Sequence, residues 1–282
     1  MKIIRTSPET QGFSGWMPPS GTLGDLVRSA GVRAEALSSR SGELERSISQ
    51  PAPAVSLRAA LDRDTVAVIA EVKRASPSAG AINRMLSAGL QARVYETGGA
   101  AAVSVLTEPD RFGGSESDIA DALSSCRLPV LKKDFHVAEI QLLEAKALGS
   151  SAALLIVRAL HPDRVLAMAR FAREIGLEVL FEIRDERELD VALGAGATII
   201  GVNNRNLETL EVDGGTVSRI VPLIPCDCVA VAESGYRTVA DVEGAARAGA
   251  DAVLVGSILS ASNDPAAAVG TIAGVPRVRS VR

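Results

Sequence analysis

Three glutamates, two lysines, one arginine and one asparagine stand at the ends of short apolar runs, where their types and spacing could do chemistry. The runs close on Glu71 and Lys73, on Lys133, on Glu182, on Asn203 and Arg205, and on Glu233. Side chains of an extended segment alternate between faces, so Glu71 and Lys73 share a face with Ala67 and Ile69, and Lys133 with Leu131. Likewise Glu182 follows Leu180, Asn203 and Arg205 follow Gly201, and Glu233 follows Val231. If these faces line one interior, three carboxylates meet three cations and an amide. A zero-sum set is the form in which several ionised groups can share a desolvated pocket. Such a pocket could give and take protons, and with His136 and His161 the only histidines, lysine and glutamate are the candidates for that work. The competing reading is ordinary ion pairs plugging the mouth of a barrel, which accounts for one residue more easily than for six.

The elements that must hold these groups repeat. Apolar runs begin near Val66, Ala101, Pro129, Ala152, Glu178, Ala197, Cys228 and Asp251. Amphipathic stretches between them close on glycines such as Gly99, Gly149, Gly176, Gly196 and Gly249. The clearest is Pro162 to Ile175, with Val165, Met168, Ala169, Ala172 and Ile175 on one face. Runs that are nearly continuously apolar indicate parallel strands covered on both sides. The expected fold is therefore α/β, a closed (β/α)8 TIM barrel, with an open doubly wound sheet as the runner-up. No G-x-G-x-x-G follows the first strand to favour the latter. Residues 1–60 read as an N-terminal helical extension packing on the barrel, and residues 61–282 as the catalytic barrel. Pro18, Pro19, Pro51 and Pro53 frame a helix-compatible stretch from Leu23 to Ser47 that carries no catalytic signal. Barrel active sites lie at the C-terminal ends of the strands, where the polar residues above fall.

The 282 residues are 47% hydrophobic and 23% charged, enough apolar material for a large core. Thirty Lys and Arg against 34 Asp and Glu leave a net charge of −4, which argues against nucleic-acid and membrane partners. An anionic ligand must then be held locally. Glu233-Ser234-Gly235 and Gly256-Ser257 are small-residue turns between strand and helix at the seventh and eighth units, where many barrels bind phosphate. Gly113-Gly114-Ser115 is a weaker case that also reads as a flexible loop. The longest apolar run, Ala152 to Val157, is too short to span a bilayer, and no apolar secretory segment opens the chain. A cytoplasmic monomer or weak oligomer is expected. Cys126, Cys226 and Cys228 suit a reducing compartment and three plain buried thiols, since Cys226-x-Cys228 lacks further ligands for a metal.

Five segments resemble indole-3-glycerol phosphate synthase, in order and at family-like spacing. They are Glu71-Val-Lys-Arg-Ala-Ser-Pro-Ser78, Ser104-Val-Leu-Thr-Glu108, Lys132-Lys-Asp-Phe135, Asn203-Asn-Arg-Asn-Leu207 and Ala232-Glu-Ser-Gly235. The resemblance implies a (β/α)8 barrel that converts a phosphorylated small molecule, 1-(2-carboxyphenylamino)-1-deoxyribulose 5-phosphate, into indole-3-glycerol phosphate, CO2 and water, with no cofactor or metal. It implies that Lys133 is the general acid and Glu182 the general base. It makes Lys73 a substrate-contacting lysine assigned either to anion binding or to dehydration, and Glu71, Asn203 and Glu233 positioning groups. Ser76 and Arg205 match substrate contacts, and Ser234, Gly235, Gly256 and Ser257 match the phosphate loops. Phe112 and Phe135, just beyond strand ends, look like walls for the anthranilate ring. Ala81 to Gln91 lacks the acidic, proline-containing run typical of the family, and His136 stands where an apolar residue is more usual. Nearby cations and burial would lower the pKa of Lys133, whereas three carboxylates oppose that. Phosphoribosylanthranilate isomerase shares the fold but calls for a cysteine at the end of strand one, where this chain has Glu71 and Lys73. A non-catalytic sugar-phosphate-binding barrel is the reading from another class, and intact Lys133 and Glu182 argue against it.

Overall fold

Runs of Val, Ile, Leu and Ala without polar alternation cannot leave one face in water, and each becomes a strand covered on both sides. The computed structural model describes residues 15–48 and 55–278, so Pro51 and Pro53 lie outside the described residues. The barrel strands are β1 (Ala67–Val72), β2 (Ala102–Leu106), β3 (Val130–Lys133), β4 (Ala152–Ile156), β5 (Glu178–Ile183), β6 (Ile199–Asn203), β7 (Val229–Glu233) and β8 (Ala252–Val255). They pair in parallel in chain order, and β8 returns to β1 with Ala67 opposite Ala252, closing the barrel. Each begins within two residues of the position expected from the sequence. Register sets the site: Asn203 lies opposite Glu233, and Ile156 opposite Glu182.

The helices follow the expected chemistry. Helix Pro162–Glu174 starts with proline at its first turn and buries Val165, Met168, Ala169 and Ala172, while Ile175 caps its end. The N-terminal region forms two helices, Gly21–Leu37 and Ser41–Ile48. Leu23, Leu26, Ala30 and Ala34 make the buried stripe of the first, and both helices pack on helix Glu139–Ala147. Polar clasps fix the start of the first to the barrel top. Ser20 donates from its amide and hydroxyl to Glu208 Oε1 at 2.7 and 2.9 Å, and Arg158 forks onto the same carboxylate at 3.1 and 3.2 Å. At the opposite end Val66 N donates to Val275 O at 2.9 Å, tying the C-terminal segment across the barrel floor. No described helix is long and apolar enough to cross a membrane. The cysteine expectation needs one correction: Cys126 and Cys228 are buried, but Cys226 is exposed, because the Pro225-to-Cys228 turn carries it outward ahead of β7.

Strand β3 places unusual polarity on its outer side. Lys132 is 2% exposed and bonds Glu144 of helix Glu139–Ala147 at 2.6 Å. His136 is also buried; its Nδ1 lies 2.8 Å from Leu154 O, which fixes the Nδ1–H tautomer, and Nε2 finds no partner among the described residues. Burial, and then the Lys132 ammonium, push the imidazole down to about 4, against the pull of Asp134. The folded chain thus keeps His136 neutral where the unfolded chain would protonate it. Stability from this residue is complete above pH 6.5 and is lost as pH falls toward 4. Between pH 7 and 5 wild type is expected to lose on the order of 2 kcal/mol more than His136→Leu, read from urea midpoints. Equal losses would mean that the imidazole is charged in the folded protein.

Candidate active site

One ammonium organises the barrel mouth. Lys133, the last residue of β3, donates to Glu233 Oε2 at 2.7 Å and to Glu182 Oε2 at 3.1 Å. Glu182 is held in turn by Asn203, whose Nδ2 donates to Glu182 Oε1 at 2.9 Å. Asn203 Oδ1 accepts from the Arg205 amide at 2.9 Å, so neither end of this side chain is free to turn. Burial opposes charge on Lys133, but Glu233, Glu182 and Glu71 outweigh it and hold the ammonium far above its ordinary range. The competition left open by the sequence is thus won by the carboxylates. Burial raises Glu233 to about 7, with Lys133 pulling the other way. Its Oε1 is buried and finds no hydrogen-bond partner among the described residues.

Glu71, 1% exposed at the end of β1, has Lys73 Nζ 2.5 Å from its Oε1, an ion pair set off the hydrogen-bonding axis. Its backbone carbonyl accepts from Tyr95 Oη at 3.1 Å and Ser260 Oγ at 3.2 Å. Two glycines make room for these acids. A Cβ on Gly201 would overlap Glu233 Oε1, and one on Gly256 would overlap Glu71 Oε1. The barrel wall is thinned to glycine beside each of the two carboxylates.

All of the sequence-predicted site residues border a single cavity of about 750 Å³. They do not all join one ion cluster. Arg205 lies past the end of β6, gives Nη1 to Leu210 O at 2.8 Å, and makes no ion pair among the described residues. Burial and then nearby Arg237 lower its pKa. The expected zero sum therefore becomes three carboxylates against two lysines, with a guanidinium pair set apart. That second end also holds the small-residue turns. Ser234 and Gly235 both take left-handed backbone, φ 66° and 92°, and Asn204 Nδ2 bonds Ser234 O at 3.1 Å. Gly256 and Ser257 open the short helix Ser257–Ser260 beside them. Gly113-Gly114 does not border the cavity. Gly113 ends helix Pro109–Phe112 in left-handed backbone, and a Cβ on Gly114 would overlap Leu106 O, so tight closure of this turn explains the pair.

Phe112 and Phe135 face each other across the cavity wall with ring centroids 6.2 Å apart and a 36° tilt. Ser76 lines the first loop, but its hydroxyl accepts from Ala79 N at 3.2 Å and so closes its own turn. Sequence reasoning missed several neighbours. Thr22 and Leu26 bring the N-terminal helix to the cavity, in contrast to the expectation that this region is silent. Leu26 sits on an apolar helical stripe and reads as core, and Thr22 falls in no motif, so nothing distinguished either. Arg74, which forks onto Asp118 at 2.5 and 2.7 Å and bonds Leu86 O at 3.0 Å, anchors the loop that carries Ser76. Its position next to Lys73 was the available signal.

The comparisons with known proteins cover most of this architecture. The family model described as indole-3-glycerol phosphate synthase matches residues 26–272. Indole-3-glycerol phosphate synthase 1 of Streptomyces coelicolor is 48% identical over 82% of this chain and 86% of its own length. The indole-3-glycerol phosphate synthase of Mycobacterium avium is 44% identical over 91% of this chain and 95% of its own. A thiamine phosphate pyrophosphorylase from Pyrococcus furiosus superposes with a TM-score of 0.55 at 14% identity, covering 77% of this chain and 96% of that one, a likeness of fold alone. With the match spanning the strands that carry Glu71, Lys133, Glu182, Asn203 and Glu233, the chain belongs to the indole-3-glycerol phosphate synthase family.

Proposed function

We propose that ring closure, decarboxylation and dehydration of 1-(2-carboxyphenylamino)-1-deoxyribulose 5-phosphate take place in this cavity, with Lys133 as general acid and Glu182 as general base. The chain is a carbon–carbon lyase of tryptophan biosynthesis. The observation that carries the residue roles is the Lys133 ammonium held between Glu182 and Glu233. As the carboxyl-bearing ring carbon attacks the substrate carbonyl, negative charge grows on the carbonyl oxygen. A lysine kept protonated by its neighbours has the proton that oxygen requires. Loss of CO2 returns the ring to aromaticity without a proton transfer. The new hydroxyl then leaves as water on receiving a second proton, while a base takes one from the carbon beside nitrogen. Glu182, oriented by Asn203, serves as that base. Glu233, held near neutrality and 2.7 Å from Lys133, can return a proton to it between the two donations.

The remaining assignments follow the division of the cavity. Phe112 and Phe135 provide an apolar chamber for the anthranilate ring, and Lys73 and Ser76 meet the substrate from the first loop. Arg205, Ser234, Gly235, Gly256 and Ser257 take the phosphate, away from the ionic centre. Thr22 and Leu26 border the same space, which favours treating the extension through residue 60 and the barrel from residue 61 as one working unit. Because both reactant and product are phosphate esters that do not cross membranes unaided, the proposal includes a cytoplasmic location.

Three variants test the two ends separately. Lys133→Met keeps length and apolar volume but removes the proton donor, so kcat should fall by ~10²-fold or more with KM changing less. Near wild-type turnover in the folded variant would transfer the acid role to another group. At the phosphate end, inorganic phosphate should compete with substrate, and Arg205→Met should weaken that inhibition and raise KM by roughly tenfold or more, the scale of one charged hydrogen bond. Gly235→Val should raise KM as well, with the added strain of a β-branched residue at φ 92° followed by thermal unfolding. Unchanged phosphate inhibition in Arg205→Met would remove this guanidinium from the phosphate site.

A further inference from the structure

We infer that Arg33, on the N-terminal helix Gly21–Leu37, is a positioning residue for the reaction, acting through two buried carboxylates, Asp134 in the cavity wall and Glu108 behind it. Its Nη2 donates to Asp134 Oδ1 at 2.6 Å, and its Nη1 lies 3.8 Å from Glu108 Oε1. Each carboxylate controls a different part of the site. Asp134 follows Lys133 directly; its Oδ1 also accepts from Phe135 N at 2.7 Å, and its Oδ2 accepts from Thr107 Oγ1 at 2.7 Å. The Thr107 amide in turn bonds Lys133 O at 3.1 Å, stitching the end of β2 to the end of β3. Glu108 caps helix Pro109–Phe112, accepting from the amides of Asp110, Arg111 and Phe112 at 2.7 to 3.1 Å. One guanidinium therefore spans the residue that sets Lys133 and Phe135 and the residue that sets Phe112.

The electrostatics make this bridge more than a tie. Glu108 has a fully buried side chain and that of Asp134 is 6% exposed, whereas Arg33 retains 23% exposure. Without the guanidinium, Glu108 would be left with its helix amides alone and Asp134 with the Lys132 ammonium, two carboxylates just past the ends of adjacent strands with reduced access to water. Their relaxation would separate Phe112 from Phe135 and shift Lys133 against Glu182 and Glu233. A misplacement of about 1 Å at a reacting group can cost on the order of 10²-fold in rate. The phosphate end is built on β6, β7 and β8 and shares none of these bonds. The inference rests on the reading of Lys133 as the acid.

The test uses the full chain, steady-state kinetics on the carboxyphenylamino substrate, and the inhibition constant of inorganic phosphate. Arg33→Met is expected to lower kcat tenfold or more while leaving the phosphate constant within about twofold. Arg33→Lys, which keeps the charge but loses the planar fork, should recover part of kcat. If Arg33→Met is too unstable to assay, Arg33→Lys alone should still show reduced kcat with normal phosphate inhibition. A kcat within twofold of wild type in a folded variant overturns the inference, as does parallel weakening of turnover and phosphate inhibition, the mark of a generally loosened mouth. Lys133→Met measured beside it separates the two claims. Lost turnover there with unchanged turnover in Arg33→Met defeats only the positioning role, whereas retained turnover in Lys133→Met defeats the acid assignment and this inference with it.

Discussion

The constraint from which the rest of the molecule follows is the burial of three carboxylates around two ammonium groups. Glu71, Glu182 and Glu233 are nearly inaccessible, and each would repel the others without Lys133 and Lys73 among them. A closed parallel barrel meets this need because its strand ends converge from all sides on one axis. Gly201 and Gly256 leave the space that the Glu233 and Glu71 carboxylates occupy. Asn203 fixes Glu182, and Tyr95 and Ser260 fix the strand end beneath Glu71. The site is a polar core whose members are set from below by packing and from the side by hydrogen bonds.

Within that core the two ends of the cavity are electrostatically unlike. The centre holds an excess of carboxylate over ammonium, which is why burial drives Glu233 toward protonation while Lys133 keeps its charge. The far end presents Arg205 and Arg237 close enough to depress Arg205, with strained small-residue turns next to them. A substrate with an aromatic carboxylate at one end and a phosphate at the other would meet a graded potential, which would orient it in the sense proposed above.

The barrel was legible because its strands are apolar without interruption, and period-two alternation was enough to bring Glu71, Lys133, Glu182, Asn203 and Glu233 to one cavity. Arg205 borders that cavity too, and the alternation overreached only in joining it to the ion cluster, since the strand stops at Asn203 and the backbone turns before the arginine. The cysteine reading failed at Cys226 for a related reason: composition says which residue types tend to be inside but not where a turn points one of them. Thr22, Leu26, Tyr95 and Ser260 gave no sign of their place near the site. Their partners are distant in sequence, as with Tyr95 and Ser260, 165 residues apart, and such meetings are products of closure rather than of local pattern. The family resemblance identified the chemistry, whereas the hydrogen bonds that hold each group emerged only with the fold.

The clasp between Ser20 and Glu208 also bears on the order in which the chain can be completed. These residues are separated by 188 positions, and at the usual ribosomal rate of about 5–20 residues per second the first waits roughly 10–40 s for the second to be made. The helix that begins at Gly21 therefore leaves the ribosome with its stripe of Leu23, Leu26, Ala30 and Ala34 and no barrel on which to lay it. During that interval the stripe is open to other nascent chains and to holding chaperones. Docking of this helix is a late event in assembly although its residues are synthesised before those of the barrel, and the finished cavity, which it borders, becomes whole only after the eighth strand has emerged.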